Sequence, residues 1–205
     1  MVDTLTPITL AMTGASGAAY GLRLLECLLK AQRRVYFMIS DAARTVVKME
    51  MGLELPAEIS TLENFLLNRF SAQPNQLKVF GNMDWLAPPA SGTGGKIPMI
   101  ICPASGGVIS AIATGASTNL VQRAADVAIK EKRPLIIVPR EMPASAIHLE
   151  NQLKLAHLGA TIMPASPGFY QNPRSLDDII DFVVARILDQ LDIAHDLLPR
   201  WGGAS

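Results

Sequence analysis

The chain has 205 residues, 49% of them hydrophobic, with 18 Lys plus Arg balanced by 18 Asp plus Glu. That length buries one sizeable core, so a single domain over 1–205 is expected, and the even charge offers no long-range attraction to nucleic acid or to an anionic membrane. No apolar run approaches the ~18 to 20 residues needed to span a bilayer, and Met1 to Pro7 lacks the basic-then-apolar layout of a secretion signal, so a cytoplasmic location is expected. Cys27, Cys102, His148, His157 and His195 are scattered, which argues against a disulfide framework or a zinc site.

The elements read in chain order as strand then helix, repeatedly. Ile8 to Met12 is a short apolar run of strand formers, and Gly17 to Lys30 follows with leucines at 22, 25, 28 and 29 in helical spacing. Val35 to Ile39 precedes helical Asp41 to Met51, and Met99 to Cys102 precedes helical Ser105 to Ala113. Another helix begins near Asn119. Leu135 to Val138 then leads into helical Ile147 to Leu158, and Thr161 to Met163 into helical Ser175 to Leu191. Strands that are apolar throughout, alternating with amphipathic helices, predict a three-layer, doubly wound parallel α/β sheet of the Rossmann or flavodoxin kind. Ligands of such sheets bind beyond the carboxyl ends of the strands. Two stretches break the rhythm: a lid-like loop at about 74–96 carrying Trp85, and a tail at about 192–205 carrying Trp201.

Thr13-Gly14-Ala15-Ser16-Gly17 leaves the first strand and enters the first helix, so its N–H groups and a hydroxyl face the positive helix end, where an anion is favoured. The glycines fall at 14, 17 and 21, which is not the dinucleotide spacing, and the second strand ends in Ser40-Asp41, a hydroxyl before any ribose-binding acid. A mononucleotide fits better. A second T-G-A-S at Thr114 to Ser117 reads as reused turn chemistry. Arg123 and Lys130 stand two helical turns apart on one face, and Arg140-Glu141 follows the Leu135 to Val138 strand; these cations serve either an anionic ligand or solvent. Asp177-Asp178-Ile179-Ile180-Asp181 matches a magnesium-diphosphate signature, yet reads as the acidic first turn of a helix capped by Ser175. Cys102 reads as a buried apolar residue, Glu50 as a surface carboxylate and His148 as structural.

Taken together, these segments closely resemble the UbiX-type flavin prenyltransferases over essentially the whole length. The matching stretches are Met12 to Gly17, Trp85-Leu86-Ala87-Pro88-Pro89-Ala90-Ser91-Gly92, Ala111 to Gly115, Arg123-Ala124-Ala125-Asp126-Val127, Lys132 to Leu135, Val138-Pro139-Arg140-Glu141 and Pro164 to Tyr170. The resemblance implies transfer of a dimethylallyl group from dimethylallyl monophosphate to N5 and C6 of reduced FMN, without a metal. It implies a prenylated-FMN-dependent decarboxylase as recipient of the product, in the ubiquinone or aromatic-acid pathways, and a homo-oligomer, a dodecamer, with sites at subunit interfaces. Residue by residue it implies that Gly14, Ala15, Ser16, Ser40, the Ser105-Gly106-Gly107-Val108 turn and Arg140 hold FMN. Arg123, Lys130, Tyr170 and Arg186 would hold the prenyl phosphate, and Trp85 and Trp201 would wall the prenyl chain. Ser16, Glu50, Glu141 and Lys130 would carry the chemistry.

The stretch Cys102-Pro103-Ala104-Ser105-Gly106-Gly107-Val108 departs from the family's usual C-P-C-S-T-G-T by two hydroxyls and a thiol. The change leans toward related flavoproteins that decarboxylate cysteine-containing substrates, but the substrate clamp of those enzymes is missing from Pro164 to Tyr170. A non-catalytic FMN carrier is the third reading. Glu50, Glu141 and the cationic set weigh against it.

Overall fold

A computed structural model describes residues 6–198. Its strands are β1 (Ile8–Met12), β2 (Val35–Ile39), β3 (Leu77–Phe80), β4 (Met99–Ala104), β5 (Leu135–Pro139) and β6 (Thr161–Ile162). The helices are α1 (Ala18–Lys30), α2 (Asp41–Met51), α3 (Ile59–Arg69), α4 (Gly106–Ala113), α5 (Leu120–Lys130), α6 (Ala146–His157) and α7 (Leu176–Asp189). All strand pairs are parallel, in the order β3-β2-β1-β4-β5-β6. The direction of winding reverses between β1 and β4, which opens a crevice at their carboxyl ends.

Every residue of β1, β4 and β5 is buried, because alternate side chains enter two different apolar layers. Ile8, Leu10, Met12, Phe37, Ile100 and Val138 pack with α1 and α7, whereas Ala11, Met38, Ile101 and Ile137 pack with α4 and α5. Helix starts are set by side-chain caps. Ser40, Glu58, Ser105, Asn119, Ser145 and Ser175 each accept a backbone N–H of the first turn of α2, α3, α4, α5, α6 and α7 respectively. No helix among the described residues is long and apolar enough to cross a membrane.

The stretch 74–96 that reads as a loop contains the edge strand β3 and a single 3-10 turn at Pro88–Ala90. Four residues with Leu77 and Val79 buried and Lys78 exposed are enough to extend a sheet by one edge, yet too few to stand out between flanking prolines. Helix α3 is equally quiet in the sequence, since it buries only Leu62 and Leu66. In the tail, Ile193 is buried and Leu197 packs on the core, while Trp201 lies outside the described residues.

At the crevice, Thr13 is 1% exposed and joins the two central strands. Its hydroxyl donates to the Pro103 carbonyl at 2.9 Å and accepts the Ser105 N–H at 2.8 Å, and its own N–H reaches Pro103 O at 3.1 Å. Thr13→Val keeps the shape and removes the buried hydroxyl, leaving the part-buried Ser105 N–H without its acceptor, so it should cost about 1–3 kcal/mol. Urea denaturation measures this, with a Tm drop of about 2–4 °C per kcal/mol for a chain of this size. A Thr13→Val protein as stable as the wild type would show that the bridge does not hold the crevice together.

Candidate active site

The crevice is built from the segments that leave β1, β2, β4 and β5. Gly14 lies against the first turn of α2, where a Cβ would stand only 2.5 Å from that of Ala42. Gly17 adopts φ 105°, open to glycine at little cost, and so turns the chain into α1. Ser40 ties this turn to the next strand, its N–H donating to Met12 O at 3.0 Å, and caps α2 through Ala43 N at 3.1 Å.

The N–H groups at the start of α1 do face an anion, and in the structure that anion is Glu50. Gly17 N donates to both carboxylate oxygens at 3.1 and 3.0 Å, and Ala18 N donates to Oε2 at 2.8 Å. Burial works to raise the Glu50 pKa, but hydrogen bonds from the Ser16 hydroxyl and the Ala18 and Gly17 amides, with the charge of Arg140, outweigh it. The carboxyl is therefore held below the ordinary glutamate range and is ionised at neutral pH. Glu50 is a member of α2, brought beside α1 because α1 and α2 pack together.

On the other side of the crevice, Ser105 caps α4, its Oγ accepting Val108 N at 3.4 Å, and Glu141 Oε1 accepts Gly106 N at 3.1 Å. A side chain at position 106 would strike His148 and Glu141, whereas one at Gly107 would meet nothing within 4 Å, so the turn is closed at one glycine and open at the next. Arg140 Nε is buried without a hydrogen-bond partner among the described residues. An orphaned guanidinium N–H, two hydroxyl-capped helix starts and an ionised carboxylate around one crevice suit a ligand that brings both a phosphate and a polar ring.

Gly14, Ala15, Ser16, Ser40, Glu50, Ser105, Gly106, Gly107, Val108, Arg140 and Glu141 thus gather at the carboxyl edge of the sheet. Arg123 sits one turn into α5, whose first N–H reaches Asn82 O beyond β3, and its guanidinium pairs with Asp126 at 3.1 Å. Lys130 ends α5 at the opposite edge. It pairs with Glu131 at 3.2 Å and stands beside Gly92, in the loop that leads to β4. A five-residue strand separates the two edges by about 16 Å, so one chain does not bring Lys130 to Glu50. Arg186 occupies the last turn of α7 and pairs with Asp189 at 2.6 Å. Tyr170, in the loop after β6, is 58% exposed and stacks edge-on with Phe182. Trp85 is 43% exposed and, with Phe80, Met83 and Leu86, lines an open cavity of about 640 Å³.

The acidic run has structural partners. Asp178 accepts the Arg174 and Ser175 N–H groups at 2.7 and 3.0 Å, and Asp181 pairs with both Arg23 Nε and Nη2 at 2.7 and 3.0 Å. Among the described residues no group of three His, Cys, Asp or Glu could hold a metal ion. The sequence does not disclose Thr13 as the bridge between β1 and β4, nor the Glu50 contact, which spans more than thirty positions with no local pattern to signal it.

The fold and crevice define a flavin-binding α/β protein, and the family model "Flavoprotein" matches residues 3–188. The chain is 58% identical over 195 residues to the flavin prenyltransferase UbiX of Pseudomonas aeruginosa, covering 95% of this chain and 93% of that protein. It is 46% identical to the flavin prenyltransferase UbiX of Halalkalibacterium halodurans, covering 95% and 92%. Among solved structures, AnUbiX in complex with FMN and dimethylallyl pyrophosphate superposes with a TM-score of 0.86 at 34% identity, covering 98% of this chain and 100% of that one. A dodecameric FMN-dependent UbiX-like decarboxylase from Escherichia coli gives 0.84 at 36%, covering 96% and 100%. The chain belongs to the UbiX family of flavin prenyltransferases.

The lowered Glu50 pKa gives a signed expectation. Its contribution to stability is present above the unfolded-state pKa and disappears as pH falls through the lower folded-state value. The Tm difference between wild type and Glu50→Gln should therefore be open at neutral pH and close below the ordinary glutamate range. A difference that persists undiminished in acid would mean that the negative charge does not hold the α1 turn.

Proposed function

We propose that this chain attaches a dimethylallyl group, taken from dimethylallyl monophosphate, to reduced FMN. The observation that carries the reading is the ionised Glu50 carboxylate held by Ser16 and the start of α1 beside Arg140, a base fixed where the ring of a bound flavin would lie. Because Glu50 takes the α1 amides, the flavin phosphate falls to Ser40, the Ser105 to Val108 turn and Arg140. Reduced FMN supplies the nucleophilic N5 and the ring carbon C6.

The residues divide the work by charge. Breaking the allylic C–O bond leaves positive charge on carbon and negative charge on phosphate, and Arg123, Lys130, Arg186 and Tyr170 would neutralise the phosphate as it departs. Glu141 would deliver a proton to it. Trp85 and Trp201 would flank the prenyl chain, their ring faces stabilising positive charge. Ser16 would hydrogen-bond near N5, which would shed its proton as it bonds to the allylic carbon. On ring closure the prenyl double bond would gain a proton as its far carbon bonds to C6, and Glu50 would take the proton that C6 releases. The product would pass to a prenylated-FMN-dependent decarboxylase, and the enzyme would work in the cytosol, where Cys27 and Cys102 stay unpaired.

The site as proposed needs more than one chain, because Lys130 and Glu50 lie at opposite edges. Apolar side chains at Leu86, Met142, Ile147, Leu149 and Leu153 are exposed on the single chain and would be covered in an assembly. A dodecameric relative supports a homo-oligomer.

Anaerobic incubation with reduced FMN and dimethylallyl monophosphate should release a flavin heavier by one isoprenyl unit on mass analysis; unmodified flavin would sink the proposal. Glu50→Gln should retain FMN binding and lose turnover by roughly a hundredfold or more. Co-expression of Glu50→Gln with Lys130→Ala, each inactive alone, should restore part of the activity through mixed sites. Persistent inactivity of the mixed oligomer would place both residues in the same chain's site.

A further inference from the structure

We infer that Arg133 is a positioning residue for Lys130: it pins the loop at Ser91 and Gly92, and the Lys130 ammonium is set against that loop. The task given to Lys130, holding the prenyl phosphate, rests on the prenyltransferase reading, but the clamp stands on geometry alone. Arg133 is charged and yet only 6% exposed. Its Nη2 donates to the Ser91 and Gly92 carbonyls, both at 2.8 Å, and these two are its acceptors among the described residues. A buried guanidinium needs its acceptors, so the loop is held where its two carbonyls meet that nitrogen.

Arg133 is itself fixed by the way α5 ends. Glu131 caps the helix and Lys132 takes the left-handed conformation at φ 52°. Lys132 N then closes on Ile129 O at 3.1 Å and Arg133 N on Ala128 O at 2.8 Å, the bonding pattern of a Schellman turn. Lys130, Glu131 and Arg133 therefore leave one closed turn as a unit. Lys130 pairs with Glu131 at 3.2 Å, and a Cβ built on Gly92 would lie 2.8 Å from Glu131 Oε1 and 3.5 Å from Lys130 Nζ. Arg133 thus grips the Gly92 backbone by its carbonyl, while Lys130 and Glu131 lie where a side chain would stand. The loop is also tied to itself, with Ser91 N on Pro88 O at 3.2 Å and the Ser91 and Thr93 hydroxyls 3.0 Å apart. The Lys130 side chain is 56% exposed, and its four-carbon stem would otherwise sample many rotamers; the Gly92 wall and the Glu131 carboxylate narrow them before a phosphate arrives.

The clamp and its purpose separate by substitution. In Arg133→Lys the cation stays, but its ammonium ends one bond short of the Nη2 position and loses the planar geometry that spans both carbonyls. Calorimetry on the FMN-loaded protein should show the Kd for dimethylallyl monophosphate raised about tenfold, with the FMN Kd unchanged. Hydrogen exchange in the segment 88–96 should quicken, while α1 and α4 keep their protection. Gly92→Ala keeps both carbonyls for Arg133 and puts a methyl group where Glu131 and Lys130 lie, at a position whose φ alanine can adopt. It should weaken the phosphate by a similar factor with a Tm within about 2 °C of wild type, and it carries the test should Arg133→Lys fail to fold. In a Lys130→Ala background, itself a weaker binder, neither change should cost more than about twofold further, because both act through Lys130.

Wild-type affinity in Gly92→Ala, additive losses with Lys130→Ala, an FMN Kd that rises together with that for dimethylallyl monophosphate, or unchanged loop exchange in Arg133→Lys would each overturn the proposal. Failure of the prenyltransferase reading would appear instead in the wild type, as unmodified flavin and no uptake of dimethylallyl monophosphate, with the loop exchange of Arg133→Lys still quickened.

Discussion

The Thr13 hydroxyl, buried between β1 and β4, is the constraint on which the crevice depends. The sheet reverses its winding at this pair, so the chain segments leaving the two strands diverge into helices on opposite faces. The paired register of β1 and β4 ends at Ala11 and Ile101, and beyond it the two exits need a further tie. Thr13 supplies that tie by donating to one backbone group of the β4 exit and accepting from another. Gly14 then rests on Ala42, Ser40 returns to Met12, and Gly106 meets Glu141, so each wall of the crevice is referred back to the same pair of strands.

Charge is organised on the same scale. The molecule is neutral as a whole, and its electrostatics act within a few ångströms. Glu50 neutralises the positive end of α1, Glu141 accepts the Gly106 N–H at the start of α4, and Arg140 stands beside Glu50 with one buried N–H unsatisfied among the described residues. The Glu50 carboxylate therefore occupies the helix end after β1 that would otherwise attract phosphate, which leaves Arg140 and the hydroxyl-capped turns to meet an anionic ligand.

Much of this was legible from the order of residues. The apolar runs at Ile8 to Met12 and Leu135 to Val138, each followed by helical spacing, announce a parallel sheet because burial on both faces leaves no polar alternation. Thr13 to Gly17 announces a helix start by its glycines and hydroxyls. What stayed hidden lies in contacts made at a distance or in one small element. Glu50 looks like any surface carboxylate until α2 packs against α1. Lys130 and Arg123 share a helical face on paper, but the length of that helix carries one to each edge of the sheet. Edge strand β3 gives only two buried side chains with which to declare itself.

The capture of the α1 amides by Glu50 also bears on which cofactors this sheet accepts. The same strand order in dinucleotide-binding proteins seats a pyrophosphate on the helix that follows the first strand, where free amides meet the ligand. Here a fixed negative charge fills that seat, so a second phosphate arriving there would meet repulsion in place of hydrogen bonds. The carboxylate that would serve as a base thus already holds the amides that a dinucleotide's pyrophosphate would need.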